Sequence, residues 1–224
     1  MAPPLLAPRR PGAAFTSEPA LADAVQKAVA GYWQGGVREF PPALAGLVDY
    51  WTRYHLVKSV TAALLLIVLV ALAVRAGRRP VVASLAAVPA LFAVALVMAN
   101  VQGVVAPFAS LLPLVAGAGS LEPARQDLAG SLASGSPAAP AVEVMVADFA
   151  LYHVAMVAIA AVVATALAAV SWWIRRRSAD LPGRRWWFVT SAAMSLLVAV
   201  VAVANASTAA DPAPALLAFL NGGW

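Results

Sequence analysis

The sequence predicts an all-α polytopic membrane protein: four transmembrane helices, arranged as two duplicated helical hairpins, with short extracytoplasmic helices. Three observations predict it. The first is composition: 62% of the 224 residues are hydrophobic and 11% charged, against about 45–50% and about 25% in ordinary soluble domains. The second is a set of four apolar runs, 56–74, 81–101, 149–172 and 187–204. A span needs about 20 mainly apolar residues to cross about 30 Å of hydrocarbon. Only a helix satisfies its backbone within one segment there, and the runs lack the two-residue alternation of a barrel strand. The third is an internal repeat, described below.

The chain divides into 1–40, a first two-span repeat 41–117, an extracytoplasmic connection 118–139, and a second two-span repeat 140–224. PRRPGAAF at 8–15 holds a twin arginine, but no apolar stretch of signal length follows it. A cleaved signal is therefore not expected, and the Pro/Ala-rich start reads as a flexible tail. SEPALADAVQKAVAGYW then opens with Ser17 as N-cap and Pro19 in the first turn. Leu21, Val25, Ala28 and Val29 share one face at helical spacing. This predicts a short amphipathic helix, on the outer surface or packed on the bundle, ended by Gly35 and Gly36.

Arginine sets the orientation. RAGRR places Arg75, Arg78 and Arg79 in one short loop; RRRSADLPGRR places Arg175, Arg176, Arg177, Arg184 and Arg185 in the other. With Asp180 these loops net +7, leaving −2 for the rest of a chain whose total is +5. Short loops rich in arginine stay in the cytoplasm, so both termini and the 102–148 connection are expected outside. Trp172, Trp173, Trp186 and Trp187 flank the second loop as an interfacial aromatic belt. The basic charge therefore reads as a topology determinant that also meets anionic lipid headgroups, and nucleic acid is not an expected partner. The chain has no cysteine, which removes disulfides, thiolate nucleophiles and thiolate metal sites.

The repeat appears when the chain is shifted against itself. At an offset of 98, Pro42-Ala43 falls on Pro140-Ala141 and Tyr54-His55 on Tyr152-His153. At an offset of 105, Ala99-Asn100 falls on Ala204-Asn205, Pro107 on Pro212, Leu111-Leu112 on Leu216-Leu217, and Gly117 on Gly222. Only two histidines exist in the chain, so their matched placement weighs more than any alanine match. Such a repeat defines the architecture. Both hairpins run out, in, out, giving parallel repeats about an axis along the membrane normal.

Duplication puts Tyr54, His55, Tyr152 and His153 at the outer ends of spans one and three, and Asn100 and Asn205 at the outer ends of spans two and four. Pro42 and Pro140 suit the first turns of long helices that carry Asp49 and Asp148. The proline-interrupted segments after each asparagine, VVAPFASLLPLV and ADPAPALLAFL, are expected to be short capping helices. Two readings of this layer stand. Structurally, Asn, His and Tyr fix helix register by hydrogen bonding. As a metal site, His55, His153, Asp49 and Asp148 would offer imidazole and carboxylate ligands to Zn, Cu, Fe or Mn. The structural reading is preferred, because the spacings Asp49–His55 and Asp148–His153 align neither pair on one helical face.

Other residues have plainer expectations. Lys58 is one turn inside the first span, where it snorkels outward, pairs with Asp148 or meets a lipid headgroup. Asp49 and Arg53 form an i,i+4 surface pair. Glu122, Arg125 and Asp127 lie on a polar helix in the outer connection, whose Gly, Ser and Pro surroundings read as a mobile linker. Ala71 and Ala73 are small enough for close helix approach. Trp224 is a candidate interfacial anchor. No phosphate loop, Ser-x-x-Lys or nucleophile-elbow pattern appears, and no acidic pair sits mid-span.

DYWTRYHLVK, MANVQGVVAPFASLLP, DFALYHVAM and VANASTAADPAPALLAFLNGGW resemble segments of a group of uncharacterised four-span membrane proteins of actinobacterial type, some labelled as twin-arginine signal proteins. The resemblance covers 42–224. It implies a multi-pass cell-membrane location and supplies no activity and no cofactor. The expected function is a scaffold or accessory subunit, or a lipid- or small-ligand-binding protein, at the outer face of the cell membrane. Its expected partners are the bilayer and either other membrane subunits or further copies of itself. The alternatives are an outer-leaflet metal-dependent enzyme centred on His55 and His153, and a small transporter or channel.

Overall fold

The computed structural model describes residues 15, 17–76, 80–117, 119–177 and 184–223. The 1–14 tail, Arg78, Arg79, residues 178–183 and Trp224 lie outside the described residues, as do the side chains of Arg177 and Arg184. Among the described residues all regular structure is helical: α1 Glu18–Gly35, α2 Pro42–Ala76, α3 Pro80–Val105, α4 Pro107–Leu111, α5 Glu122–Ser134, α6 Pro140–Arg177, α7 Arg184–Ala210 and α8 Pro212–Leu220. A 3-10 turn, Leu112–Leu114, follows α4. Four helices, α2, α3, α6 and α7, are long and apolar enough to cross a membrane. The all-α polytopic architecture is as the sequence requires.

The chain forms two compact units. The first comprises Met1–Val57, Gln102–His153 and Ser207–Trp224; the second comprises Lys58–Val101 and Val154–Ala206. The boundaries fall within α2, α3, α6 and α7, so each long helix contributes to both.

The first unit holds an ordinary hydrophobic core. Leu21, Val25, Ala28, Val29 and Tyr32 of α1 are buried, so the amphipathic face read from the sequence packs into this core. Ser17 caps α1 by accepting from the Ala20 N–H at 3.4 Å. Gly36 ends it with φ 62°, a left-handed conformation that glycine adopts without a Cβ penalty. The rest of the core comes from Leu44 and Leu47 of α2, Phe108 and Leu111 of α4, Val142 and Met145 of α6, and Leu216 of α8. The 118–139 connection is not a loose linker. Leu121, Ala124 and Leu128 are buried in the same cluster, and the Asp127 carboxylate accepts from the Ala139 N–H at 2.8 Å, just before α6 begins.

Surface ion pairs decorate this unit. Arg53 meets Asp49 at 2.9 Å, Arg38 meets Glu143 at 2.6 Å, and Arg125 meets Glu122 at 2.6 Å. Hydrogen bonds from Arg125 and Gln126 lower the Glu122 carboxyl from its ordinary value to about 2. A depressed carboxylate contributes stability above its unfolded pKa, about 4.3, and loses it as pH falls through the folded value. A carboxyl-resolved NMR titration is expected to place the Glu122 midpoint near 2; an Arg125→Gln variant should move it back toward the ordinary range.

The second unit inverts soluble logic. One large apolar residue from each long helix illustrates it: Ile67 is 63% exposed, Phe92 69%, Val162 70% and Val203 69%. Apolar surface on this scale needs a non-aqueous surrounding. What is buried is mostly alanine: Ala62, Ala86, Ala90, Ala93, Ala155, Ala160 and Ala164. Small side chains let helix backbones approach where lipid removes the hydrophobic drive between helices. Ala71, singled out from the sequence, is exposed and Ala73 only half-buried; the close approaches use other alanines. Between α6 and α7, Ser171 Oγ donates to Ser191 Oγ at 2.7 Å, and Ser195 Oγ donates to the Ala164 carbonyl at 2.8 Å.

Candidate functional site

Both tyrosine–histidine pairs belong to the first unit; Asn100 and Asn205 belong to the second. The two pairs have the same local geometry. The Tyr54 and His55 rings lie 5.5 Å apart at 84°, and those of Tyr152 and His153 lie 5.6 Å apart at 81°. One helical turn earlier, each imidazole meets an aromatic edge-on. Trp51 is 4.8 Å from His55, and Phe149 is 4.6 Å from His153. Trp51 and Phe149 are themselves related by the offset of 98. The two asparagines also behave alike. Asn100 Nδ2 donates to the Leu96 carbonyl at 2.7 Å, and Asn205 Nδ2 to the Val201 carbonyl at 2.8 Å.

The chain breaks after each asparagine are also alike. Ala106, before α4, has φ −129° and ψ 71°. Asp211, before α8, has φ −136° and ψ 72°. Each precedes a proline, which disfavours the helical conformation at that residue and so favours the bend. The short helices expected after each asparagine are present as α4 and α8, each started by its proline.

The two halves differ in what surrounds the imidazole. Gly103 brings the α3 backbone against the His55 ring: a Cβ there would lie 2.5 Å from His55 Cγ and 2.7 Å from Nδ1. Beside it, buried Gln102 donates through Nε2 to the Tyr152 carbonyl at 3.1 Å, tying α3 to α6. The matching positions in the second half are Ser207 and Thr208. Sequence reasoning missed Gln102 and Gly103, and no periodicity marks them. The signal was their place two and three residues past Asn100, where the positions past Asn205 hold serine and threonine instead.

The two aspartates are committed to different tasks. Asp49 is exposed in its pair with Arg53. Asp148 Oδ2 accepts from the Ala109 N–H at 2.7 Å. Helix α4 has no side-chain cap of its own at Ala106, so a carboxylate from α6 satisfies one of its free N–H groups. On its other side, Trp51 Nε1 donates to Ser110 Oγ at 2.8 Å. Asp148→Ala is expected to cost about 1–3 kcal/mol, the penalty of an unsatisfied buried donor. Asp148→Asn, which keeps an acceptor, should cost less. Amide exchange at Ala109 reports it directly.

Among the described residues no group of three or more His, Asp or Glu side chains gathers to hold a metal ion. His55 and His153 are thus not joined by Asp49 or Asp148 in a cluster of three or more ligands. Lys58 is half-buried in the second unit, and Arg75, Arg175, Arg176 and Arg185 are exposed. Compared with protein-family models, curated proteins and solved structures, the chain matches none.

Proposed function

We propose that this chain is a multi-pass cell-membrane protein built by duplication of a two-span hairpin, serving as a scaffold or accessory subunit. The tyrosine–histidine ends of α2 and α6 face the outside, and both termini lie there. The observation carrying this reading is where the polar side chains of the first unit are spent. Asp148, Gln102 and Trp51 bond to neighbouring helices, at Ala109, Tyr152 and Ser110. Polar groups used this way fix the register of packed helices. Duplication is supported by the near-identical backbone at Ala106 and Asp211 and by the matched aromatic–histidine contacts. Orientation is supported by the arginine-rich connections.

The rival is a metal-dependent enzyme using His55 and His153. Metal analysis of purified wild type and a His55→Ala/His153→Ala variant separates them. The scaffold reading expects lowered thermal stability in the variant and no stoichiometric metal in either protein. Stoichiometric metal in the wild type, lost in the variant, would overturn it. For the scaffold role itself, Leu132→Cys, on the exposed face of α5, is a site for cross-linking in native membranes. A discrete adduct with another subunit or a second copy is expected; a monomer under all conditions counts against the role.

A further inference from the structure

The strongest unassigned feature lies in the second unit, at the arginine-rich end of α6 and α7. A groove of about 220 Å³ opens between Ala168, Ser171, Trp172 and Arg175 of α6 and Phe188 and Ala192 of α7. Ser195 also lines it. The polar atoms inside are already engaged. Ser171 Oγ bonds to Ser191 Oγ and to the Leu167 carbonyl, and Ser195 Oγ bonds to Ala164. The interior therefore presents methyl groups and an aromatic ring to any occupant.

The rim has the opposite character. Arg175 lines it, is exposed, and makes no ion pair among the described residues. One residue on, the Arg176 guanidinium stacks over the Trp172 ring, 4.1 Å from its centroid, which holds a second cation beside the same wall. The groove is smaller than the roughly 300–1,000 Å³ of a site enclosing a whole small molecule. It suits part of a ligand whose remainder lies elsewhere.

We propose that this groove binds an anionic phospholipid of the adjoining leaflet, with its phosphate at Arg175 and an acyl chain along Ala168, Phe188 and Ala192. Charge complementarity selects the headgroup, and the apolar floor selects a tail over a soluble anion. Free phosphate would gain the rim and leave the interior unfilled. The bilayer supplies the ligand at high local concentration, and interfacial arginines attract anionic headgroups.

Native mass spectrometry of the full chain, released from micelles holding equal phosphatidylglycerol and phosphatidylcholine, tests this. Wild type should retain phosphatidylglycerol preferentially. Arg175→Gln should weaken that preference roughly fivefold, the effect of one interfacial cation. Ala192→Leu, which fills the groove and keeps the charge, should weaken retention of both lipids. Arg75→Gln, an exposed arginine at the end of α2 that lines no groove, serves as the comparison for diffuse headgroup attraction and should weaken retention less than Arg175→Gln. The proposal is overturned if Arg75→Gln and Arg175→Gln act equally, since attraction is then diffuse. It is also overturned if Ala192→Leu has no effect, or if millimolar inorganic phosphate displaces the lipid. Thermal melting of each variant, expected near wild type, separates lost binding from lost fold.

Discussion

Gly103→Ala is expected to destabilise the first unit by about 1–3 kcal/mol, the range for forcing an extra methyl into a packed site. The added Cβ would lie 2.5 Å from His55 Cγ and 2.6 Å from Cδ2. These atoms are near the root of the side chain, so rotating its far end does not relieve the overlap. Trp51 packs edge-on against the ring at 4.8 Å and Tyr54 at 5.5 Å, which blocks the obvious escapes. Either α2 and α3 separate or the imidazole leaves its rotamer. The test is a double-mutant cycle with His55→Ala, followed by thermal unfolding in detergent. Removing the ring removes the obstacle, so the double variant should be more stable than the sum of the single losses predicts. Coupling of at least about 1 kcal/mol is expected. Strict additivity would mean that the close approach costs nothing. The matching glycine substitution does not exist in the second half, where Thr208 already occupies the position.

Leu111→Ala and Leu216→Ala are each expected to cost about 2–5 kcal/mol. Both side chains are 0% exposed, and both sit in the same buried cluster although they belong to different capping helices. A fully buried leucine loses its transfer energy and leaves a cavity that its neighbours fill only in part. The two positions are related by the offset of 105. If the capping helices are copies of one device, the two losses should be similar. A large loss at Leu111 with a negligible one at Leu216 would show that α8 is an appendage rather than a counterpart of α4. Conversion to valine should cost less at both positions, which guards against a variant that simply fails to fold.

Much of the fold was readable because membrane helices obey few rules. Long apolar runs and arginine loops located α2, α3, α6 and α7, and a four-residue apolar face located α1. Pro107 and Pro212 announced α4 and α8, since a proline ends one helix and opens the next. The role of 118–139 was harder to read. Its Gly and Ser content suggested looseness, whereas Leu121 and Leu128 turn inward and Asp127 holds the start of α6. One buried leucine inside a short polar helix and one at its N-cap make too weak a period to compete with that composition.

The polar layer was half legible. Tyr54, His55, Tyr152 and His153 could be paired by shifting the sequence, and their local geometry repeats. What the shift could not show is how the matched stretches differ in their contacts. Asp148 has Tyr50 as its counterpart, and Gln102 and Gly103 have Ser207 and Thr208. These unmatched residues make the contacts that bind one half to the other: Asp148 of α6 to α4, and Gln102 of α3 to α6. On the duplication reading, the protein is asymmetric at the positions where its matched stretches differ. Tertiary contacts between residues about 40 to 50 apart leave no trace in any local pattern.

Single-cysteine labelling tests the central claim most directly, because the natural chain contains no cysteine. Asp49→Cys and Ala147→Cys occupy exposed, matched positions on α2 and α6, while Ser178→Cys lies in the second arginine-rich connection. With a membrane-impermeant maleimide on intact cells, the account predicts that both matched positions label and that Ser178→Cys labels only after permeabilisation. Labelling of the matched pair from opposite sides of the membrane would make the repeats inverted and contradict the account.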